Sequence, residues 1–176
     1  MNFNLTKLSA GLLLVIGLFS CQEPPVKKPP KLVSKKELIQ NNRQSVRVES
    51  DQIDMYVKRR DWTMNQTGSG LRYMIYESTN KEGQIPKEND TAFVSYTVSL
   101  INGKEVYKST PGEPASFIIG HDVVESGLQE GILFMKTGDK AIMIIPAHLA
   151  HGYSGDFNKI PRSSTVIFDI ELLELR

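Results

Sequence analysis

Cysteine is almost absent from this chain, since Cys21 is the only one among 176 residues. A single thiol forms no internal disulfide, so the folded part must be stabilised by a packed core. The net charge is only +1, and this near balance argues against nucleic acid as a partner. The chain also has no internal repeat, no glycine-rich phosphate loop and no catalytic serine motif.

Histidine is scarce too, and its three copies bear on metal binding. His148 and His151 are three positions apart with Asp156 nearby, whereas His121 falls in a separate predicted loop. A zinc site needs three or four convergent N, O or S ligands. The sequence therefore predicts no metal site, and it gives no sign of a cofactor.

One hydrophobic run near the N-terminus is too short to span a membrane. Residues 8–19 are almost wholly apolar and follow Lys7, but a membrane-spanning helix needs about 20 such residues. Because small residues close the run directly before Cys21, the pattern resembles a bacterial lipoprotein signal. We expect residues 1–20 to be removed and Cys21 to be lipidated, which anchors the protein to a membrane. A plain signal peptide with an incidental cysteine is the alternative.

A tether and a helical extension are predicted to follow. Residues 21–33 interleave prolines with lysines, which favours an extended spacer, either simply solvated or attracted to anionic headgroups. Residues 34–69 are expected to be helical, because Ser34 and Glu37 have capping-box spacing and Ser50 is suited to begin a second helix. This extension could pack on the following domain, pair with another copy or face a partner.

Residues 70–176 are predicted to form an α+β domain. Strand patterns cover residues 71–76, 92–100, 104–108, 116–119, 140–145 and 165–172. Asn102–Gly103 joins two of these strands in a hairpin. Between Val124 and Met135, apolar residues at helical spacing predict one short helix, whose Gly127 and Gly131 suit close packing against a sheet. We therefore expect an antiparallel sheet wrapped around that helix.

Several motifs between Thr91 and Arg176 occur in a characteristic order. They include Val94–Thr97, Gly127–Gly131, Pro146–Gly152, Ile160–Pro161 and Phe168–Leu172. In this order they resemble the FK506-binding-type (FKBP) family of peptidyl-prolyl isomerases. With the lipoprotein signal, the segments Gly152–Ile160 and Val106–Tyr107 resemble more narrowly the lipoprotein isomerases associated with the gliding machinery of gliding bacteria.

The resemblance implies a half-barrel fold and cis–trans isomerisation of X–Pro bonds in other polypeptides, without a cofactor or a metal. It assigns nine side chains to the substrate pocket. The catalytic group is Tyr96, Leu128, His151 and Phe168, and the substrate-binding group is Val106, Tyr107, Val124, Glu125 and Ile160. Leu128 would form the floor, Tyr96 and Phe168 the walls, and the Glu125 N–H would meet a substrate carbonyl.

Five positions depart from the residues that are usual in this family. Val106 and Ala115 replace Phe, Tyr107 replaces Asp, Glu125 replaces Ile and His151 replaces Tyr. Four of these changes remove an apolar or aromatic group from the pocket. The resemblance therefore implies a weakened isomerase.

Three functions are consistent with the lipoprotein signal and the altered pocket. The first is a membrane-anchored isomerase that assists the folding of exported or envelope proteins, gliding components among them. The second is a chaperone-like module that binds Pro-containing segments without catalysis, and the third is a structural subunit of an envelope complex. We favour the isomerase because the pocket retains four residues of the family: Tyr96, Leu128, Ile160 and Phe168. Gln22 after Cys21 resembles the pattern for passage to the outer membrane, so the expected location is the outer membrane, facing the periplasm.

The replacement of tyrosine by His151 leads to a pH prediction. Histidine titrates near pH 6.5, so isomerase activity is expected to fall as His151 becomes protonated. Activity on a short X–Pro peptide should therefore decrease as the pH is lowered from about 8 to about 5.5. A flat profile at the full turnover of the family would contradict this expectation.

Overall fold

The computed structural model describes residues 34–176, in which alternating apolar side chains build a seven-stranded sheet. Its strands are β1 (Asn65–Gln66), β2 (Arg72–Ser78), β3 (Thr91–Leu100), β4 (Glu105–Lys108), β5 (Ala115–Ile118), β6 (Asp139–Ile145) and β7 (Val166–Leu175). They lie in the order β1-β2-β6-β7-β3-β4, with β5 also paired to β3, and every pairing is antiparallel. The predicted signal peptide, Cys21 and the 21–33 tether lie outside the described residues.

Two α-helices accompany the sheet in the described part of the chain: α1 (Lys35–Arg59) and α2 (Ser126–Ile132). A 3-10 turn at Ala147–Leu149 follows β6. The predicted α+β class is confirmed, as is the hairpin between β3 and β4, in which Gly103 takes a φ of 88°. The predicted helix is real but shorter than the apolar pattern indicated, because it ends at Ile132.

One face of the sheet packs around α2 to form what we call the inner core. Its buried side chains include Val94, Leu128, Ile132, Met143, Phe168 and Ile170. Gly127 and Gly131 let α2 come close to β6, because a Cβ on either glycine would lie 2.4 Å from an atom of Ile145 or Met143. The predicted close packing of a glycine-bearing helix on a sheet is therefore present.

The opposite face of the sheet is covered by the second half of α1. We call this layer the outer core, which consists of Ile53, Tyr56, Ile142, Ile144 and Ile167. The extension therefore packs on the domain, which was one of the three arrangements left open. The prediction that Ser50 begins a second helix is wrong, because α1 is continuous through it. Packing of Ile53 against the sheet stabilises the helix through this position and removes any need for a cap.

Arg72 ties α1 to β2 through a buried guanidinium that is only 4% exposed. It donates to Asp54 Oδ1 through Nε at 3.0 Å and Nη2 at 2.8 Å, and Nη2 also donates to Ser50 Oγ at 2.8 Å. The chain is therefore covered on both faces at the start of β2, since Leu71 joins the inner core while Arg72 faces α1. Ile75, further along the strand, is 40% exposed.

Glu49 makes a second connection between α1 and the domain. Its Oε1 accepts hydrogen bonds from the Ala147 N–H at 2.8 Å and from the Thr165 hydroxyl at 2.6 Å. The first half of α1 is exposed, including Leu38, at 51%, and Val46, at 47%. Between residues 34 and 176, no helix has both the length and the apolar character needed to cross a membrane.

The close packing of α2 on β6 predicts that one methyl group added to the helix lowers the stability of the fold. We expect Gly127→Ala to lower the free energy of unfolding by about 1–3 kcal/mol, the usual cost of overpacking a core. The added carbon would lie 2.4 Å from Ile145 Cγ2. Urea unfolding of the full-length chain in mild detergent measures the loss. Gly68→Ala is the control, because nothing lies within 4 Å of that added carbon; equal stability of the two variants would contradict the close contact.

The Arg72 contact predicts a loss of stability on Asp54→Ala. A fully buried pair that loses one partner costs about 3–5 kcal/mol, but Asp54 is 59% exposed. We therefore expect a smaller loss of about 1–3 kcal/mol, the cost of leaving a buried polar group with fewer partners. Asp51→Ala, at an exposed position on the same helix, should be neutral in the same unfolding measurement. If Asp54→Ala had the same free energy of unfolding as Asp51→Ala, the Arg72–Asp54 contact would not contribute to stability.

Candidate functional site

The structure brings the nine predicted site residues together from several separate elements. Four of them are buried in the inner core, each no more than 5% exposed: Val106, Leu128, Ile160 and Phe168. Three are partly buried and pack against that core: Tyr96, Tyr107 and Val124. The last two, Glu125 and His151, pair with one another beside it. The site is therefore an apolar base with a partly exposed, more polar rim.

The walls of the site come from neighbouring strands. Tyr96 of β3 and Phe168 of β7 have ring centroids 5.9 Å apart at an interplanar angle of 47°. In the strand register Phe168 lies opposite Val98, two residues from Tyr96, so the two rings project from the same face of the sheet. The Tyr96 hydroxyl makes no hydrogen bond to any residue in the 34–176 range, so it is available to a ligand.

The entrance of α2 places backbone groups next to this apolar base. Glu125 is the residue before the helix, with φ −55° and ψ 131°, and its carbonyl accepts hydrogen bonds from the N–H groups of Leu128 and Gln129. Within the described chain its own N–H has no hydrogen-bond partner. The Ser126 hydroxyl donates to the Leu149 carbonyl at 3.1 Å, which ties the entrance to the 3-10 turn. An unpaired backbone N–H thus lies at the position where the resemblance predicts a contact with a substrate carbonyl, and that role stays a prediction.

Two of the unusual residues contact one another at the rim. His151 Nε2 lies 3.0 Å from Glu125 Oε1, and the two side chains are 29% and 17% exposed. The two departures from the family are therefore joined by a direct contact, which the sequence alone did not indicate. Nε2 is engaged by Glu125, so Nδ1 is the ring nitrogen left for a substrate.

A third unusual residue, Tyr107, is held by Asp156. The Tyr107 hydroxyl donates to Asp156 Oδ2, and Asp156 Oδ1 accepts from the N–H groups of Asn158 at 2.9 Å and Ile160 at 2.7 Å. Burial acts to raise the pKa of Asp156, but these hydrogen bonds outweigh it and hold that pKa well below its usual range. The same bond to Asp156, together with burial, raises the pKa of Tyr107. The carboxylate therefore stays ionised, and its bond to Tyr107 holds the loop of residues 156–160 against β4.

Sequence reasoning missed this structural role of Asp156. It considered the residue only as a neighbour of His148 and His151 in a metal site. The signal that could have found the role is local: Asp followed two residues later by Asn158 favours a turn closed by the carboxylate. Its bond to Tyr107, 49 positions away, has no such local signal.

The two neighbouring histidines turn to different partners. His148 Nε2 lies 2.9 Å from the Ser69 carbonyl oxygen, whereas His151 faces Glu125. In the part of the chain that the structure describes, no three ligating side chains converge as a metal would require. The expectation of no metal remains a prediction.

A separate groove lies between α1 and the segment 147–165. It has a cavity volume of 910 Å³, and its lining includes Val46, Gln52, Ile101, Tyr153 and Pro161. None of the nine predicted site residues lines it. The adjacent residues Ile160 and Pro161 therefore have different surroundings, one in the inner core and the other in this groove.

Comparison with known proteins identifies the family to which the domain belongs. The family profile described as FKBP-type peptidyl-prolyl cis-trans isomerase matches residues 82–173. The isomerase FkpA of Escherichia coli (strain K12) is 41% identical over 111 residues, which are 62% of this chain and 39% of FkpA. The FKBP-type 22 kDa isomerase of the same strain is 38% identical over 113 residues, 64% of this chain and 53% of that protein.

A solved structure gives the same result. The crystal structure of FkpA from Escherichia coli superimposes with a TM-score of 0.60 at 31% identity, covering 82% of this chain and 74% of that one. The chain spans about two fifths of the length of the curated FkpA sequence. The resemblance drawn from the sequence motifs is confirmed at the level of the family. The chain belongs to the FKBP-type peptidyl-prolyl cis-trans isomerase family.

Proposed function

We propose that this protein is a peptidyl-prolyl cis–trans isomerase that acts on X–Pro bonds in other polypeptides. The observation that carries the proposal is the gathering of Tyr96, Leu128, Ile160 and Phe168 in one apolar cluster. A free backbone donor at Glu125 lies at the entrance of α2, the helix that carries Leu128. Family membership supports the same activity.

The chemistry needs no covalent step. Rotation about an X–Pro bond is opposed by amide resonance, with a barrier of about 18–20 kcal/mol. In the twisted transition state this resonance and much of its charge separation are lost, so an apolar surface that excludes water suits it better than the planar ground state. Leu128 supplies the floor of such a surface, and the rings of Tyr96 and Phe168 supply the walls.

Polar groups at the rim would hold the substrate while it rotates. The Glu125 N–H and the Tyr96 hydroxyl are both free to hydrogen-bond a substrate carbonyl near the proline. A ten-thousandfold acceleration requires only about 5.4 kcal/mol of differential binding, at roughly 1.36 kcal/mol per factor of ten. Apolar contact and one or two such hydrogen bonds are of the right size to supply it.

Binding without catalysis is the second candidate. The observation that favours it is the Glu125–His151 contact, which places a carboxylate and an imidazole at a rim where the family carries apolar or aromatic groups. Charged groups attract water, and water weakens the preference for the twisted amide. In that case the site would bind Pro-containing segments as a chaperone-like module and release them without accelerating cis–trans isomerisation.

The proposal also covers where the protein is located and which polypeptides it acts on. A lipid anchor at Cys21 and the 21–33 tether would place the domain at the surface of a cell-envelope membrane, with the periplasmic face of the outer membrane as the expected site. Clients would then be exported or envelope proteins. Resemblance in Gly152–Ile160 to isomerases of gliding bacteria supports gliding components as the first clients to examine, and a structural role in an envelope complex remains the third possibility.

A charge at the floor of the site tests the catalytic assignment. Leu128 is 5% exposed, and we expect Leu128→Asp to reduce kcat/KM for a short X–Pro peptide by at least about a hundredfold, equivalent to about 2.7 kcal/mol. Leu133→Asp is the matched control, since Leu133 is 46% exposed just beyond the same helix and should leave activity near that of the wild type. Protease-coupled isomerisation by the full-length chain measures both.

A second variant guards against unfolding, because an aspartate at a buried position can prevent folding. Val124→Asp places the charge at the partly exposed entrance, where the fold should tolerate it. If the Val124→Asp and Leu128→Asp variants both fold and keep their isomerase activity, the assignment of catalysis to this site is wrong. No activity in the folded wild type would favour binding without catalysis.

A further inference from the structure

Strand β2 has a free edge over most of its length. On one side it pairs with β6 from Arg72 to Ser78, whereas β1 on the other side pairs only with Arg72 and Tyr73. Beyond Tyr73, no strand of the described residues lies on the β1 side of β2. Residues 74–78 therefore form an edge that another strand could join, and we call it the β2 edge.

The direction of the backbone groups on the β2 edge follows from the strand register. The Leu71 carbonyl accepts the Thr67 N–H at 2.9 Å, which places this carbonyl on the β1 side. In an antiparallel ladder, alternate residues direct their N–H and C=O groups to the same side, and the register stays regular from Arg72 to Ile75. Ile75 therefore points both of its backbone groups away from β6, and within residues 34–176 neither group has a hydrogen-bond partner on that side.

Apolar side chains line the inner side of this edge. Tyr73 of β2 stacks on Phe134, which follows α2, with ring centroids 4.5 Å apart and an interplanar angle of 6°. Ile75 lies two residues from Tyr73 and so projects from the same face of the sheet. Phe134 is 41% exposed and Ile75 is 40% exposed. A strand added beside β2 would cover both of them with every second side chain that it carries.

The outer side of the β2 edge is acidic. Tyr76 donates its hydroxyl to Asp169 Oδ1 at 2.8 Å, and Lys140 Nζ lies 3.0 Å from Oε1 of Glu77, whose side chain is 46% exposed. Burial and the bond to Asp169 raise the pKa of Tyr76 to about 12. The charges of Glu77 and Glu171 also raise the pKa of Tyr76. Among these groups three carboxylates face one ammonium, so negative charge is in excess.

We propose that the β2 edge binds an extended polypeptide segment whose side chains alternate between apolar and basic. Hydrogen bonds to the Ile75 backbone would hold the segment as an added strand. Side chains on one face of neighbouring strands are about 4.5–5.5 Å apart at Cβ. The apolar residues of the segment would therefore contact Ile75 and Phe134, and its basic residues would pair with Glu77. The shift in register between Ile75 and Glu77 limits the added strand to a few residues.

A second copy of this chain is a poorer occupant of the edge. Two β2 edges paired with one another would place two acidic surfaces side by side, and like charges across neighbouring strands are destabilising.

The β2 edge is also separate from the proposed catalytic site. None of the nine site residues lies on β2, and the strands of Tyr96 and Phe168, β3 and β7, lie beyond β6 in the sheet. Binding at the edge therefore needs no proline in the bound segment, and it is independent of the proposed isomerase activity.

Peptides without proline test the edge apart from the catalytic site. One short labelled peptide alternates valine with lysine, a second alternates valine with glutamate, and a third groups the valines and lysines of the first into two blocks. Fluorescence anisotropy measures their binding to the full-length chain in an uncharged detergent. We expect the alternating lysine peptide to bind about five- to tenfold more tightly than either of the others.

Variants on β2 separate the backbone bonds from the charges. Ile75→Pro removes the edge N–H but no bond to β6, so the sheet should tolerate it, and we expect about a tenfold loss of affinity for the lysine peptide. Glu77→Lys should reverse the preference in favour of the glutamate peptide. Glu105→Lys makes the same change of charge at an exposed position of β4 and should leave the preference unchanged. Hydrogen exchange of the Ile75 amide in the wild type should slow when the lysine peptide binds.

The proposal is overturned if the three peptides bind equally, if a folded Ile75→Pro chain binds as the wild type does, or if Glu105→Lys changes the preference as much as Glu77→Lys. If Ile75→Pro does not fold, slowed exchange of the Ile75 amide and the reversal by Glu77→Lys decide instead, and the absence of either overturns the proposal. Self-association of the wild type that is lost in folded Ile75→Pro would assign the edge to a second copy and would also overturn it; analytical ultracentrifugation measures this.

Discussion

The close approach of α2 to β6 is the contact on which the site depends. Gly127 and Gly131 have no side chains to hold the helix away, so Ile145 and Met143 fill the space against it. Leu128 lies between these glycines on the same helix and is buried in the inner core. A helix that stood one methyl group further from the sheet would lift Leu128 away from Phe168 and open the base of the site. The position of the floor is thus set by the absence of two side chains.

The rim is organised by a different kind of interaction. At three rim positions where this protein departs from the usual residues of the family, Tyr107, Glu125 and His151, the side chain has a polar partner. Glu125 meets His151, and Tyr107 meets Asp156. A buried or half-buried polar group is tolerated when its hydrogen bonds are satisfied. The pairs therefore let an apolar base coexist with a charged edge, and the second pair also orders the loop of residues 156–160.

The sheet is covered on both faces, which explains why its strand β6 is apolar on both sides. In β6, Ala141, Met143 and Ile145 belong to the inner core, while Ile142 and Ile144 belong to the outer core beneath α1. The unbroken apolar run of this strand is typical of a strand buried on both sides. This run is the local signal in the sequence that another element, here the N-terminal helix, covers the outer face of the sheet.

The sequence by itself determined the class of fold, the order of the strands, the hairpin at Asn102–Gly103 and the family, because all of these depend on local periodicity and on motifs in a fixed order. It also predicted nine site residues, although only through the resemblance, and the structure places them in and around the inner core. Only the tertiary structure decided that α1 is a single helix and packs on the sheet, that Arg72 is buried beneath it, and that the unusual rim residues form pairs. These features join residues from 18 to 116 positions apart, through contacts such as Arg72 with Asp54, His151 with Glu125 and Thr165 with Glu49. Partners so distant along the chain meet only after the sheet has formed, and no local pattern records them.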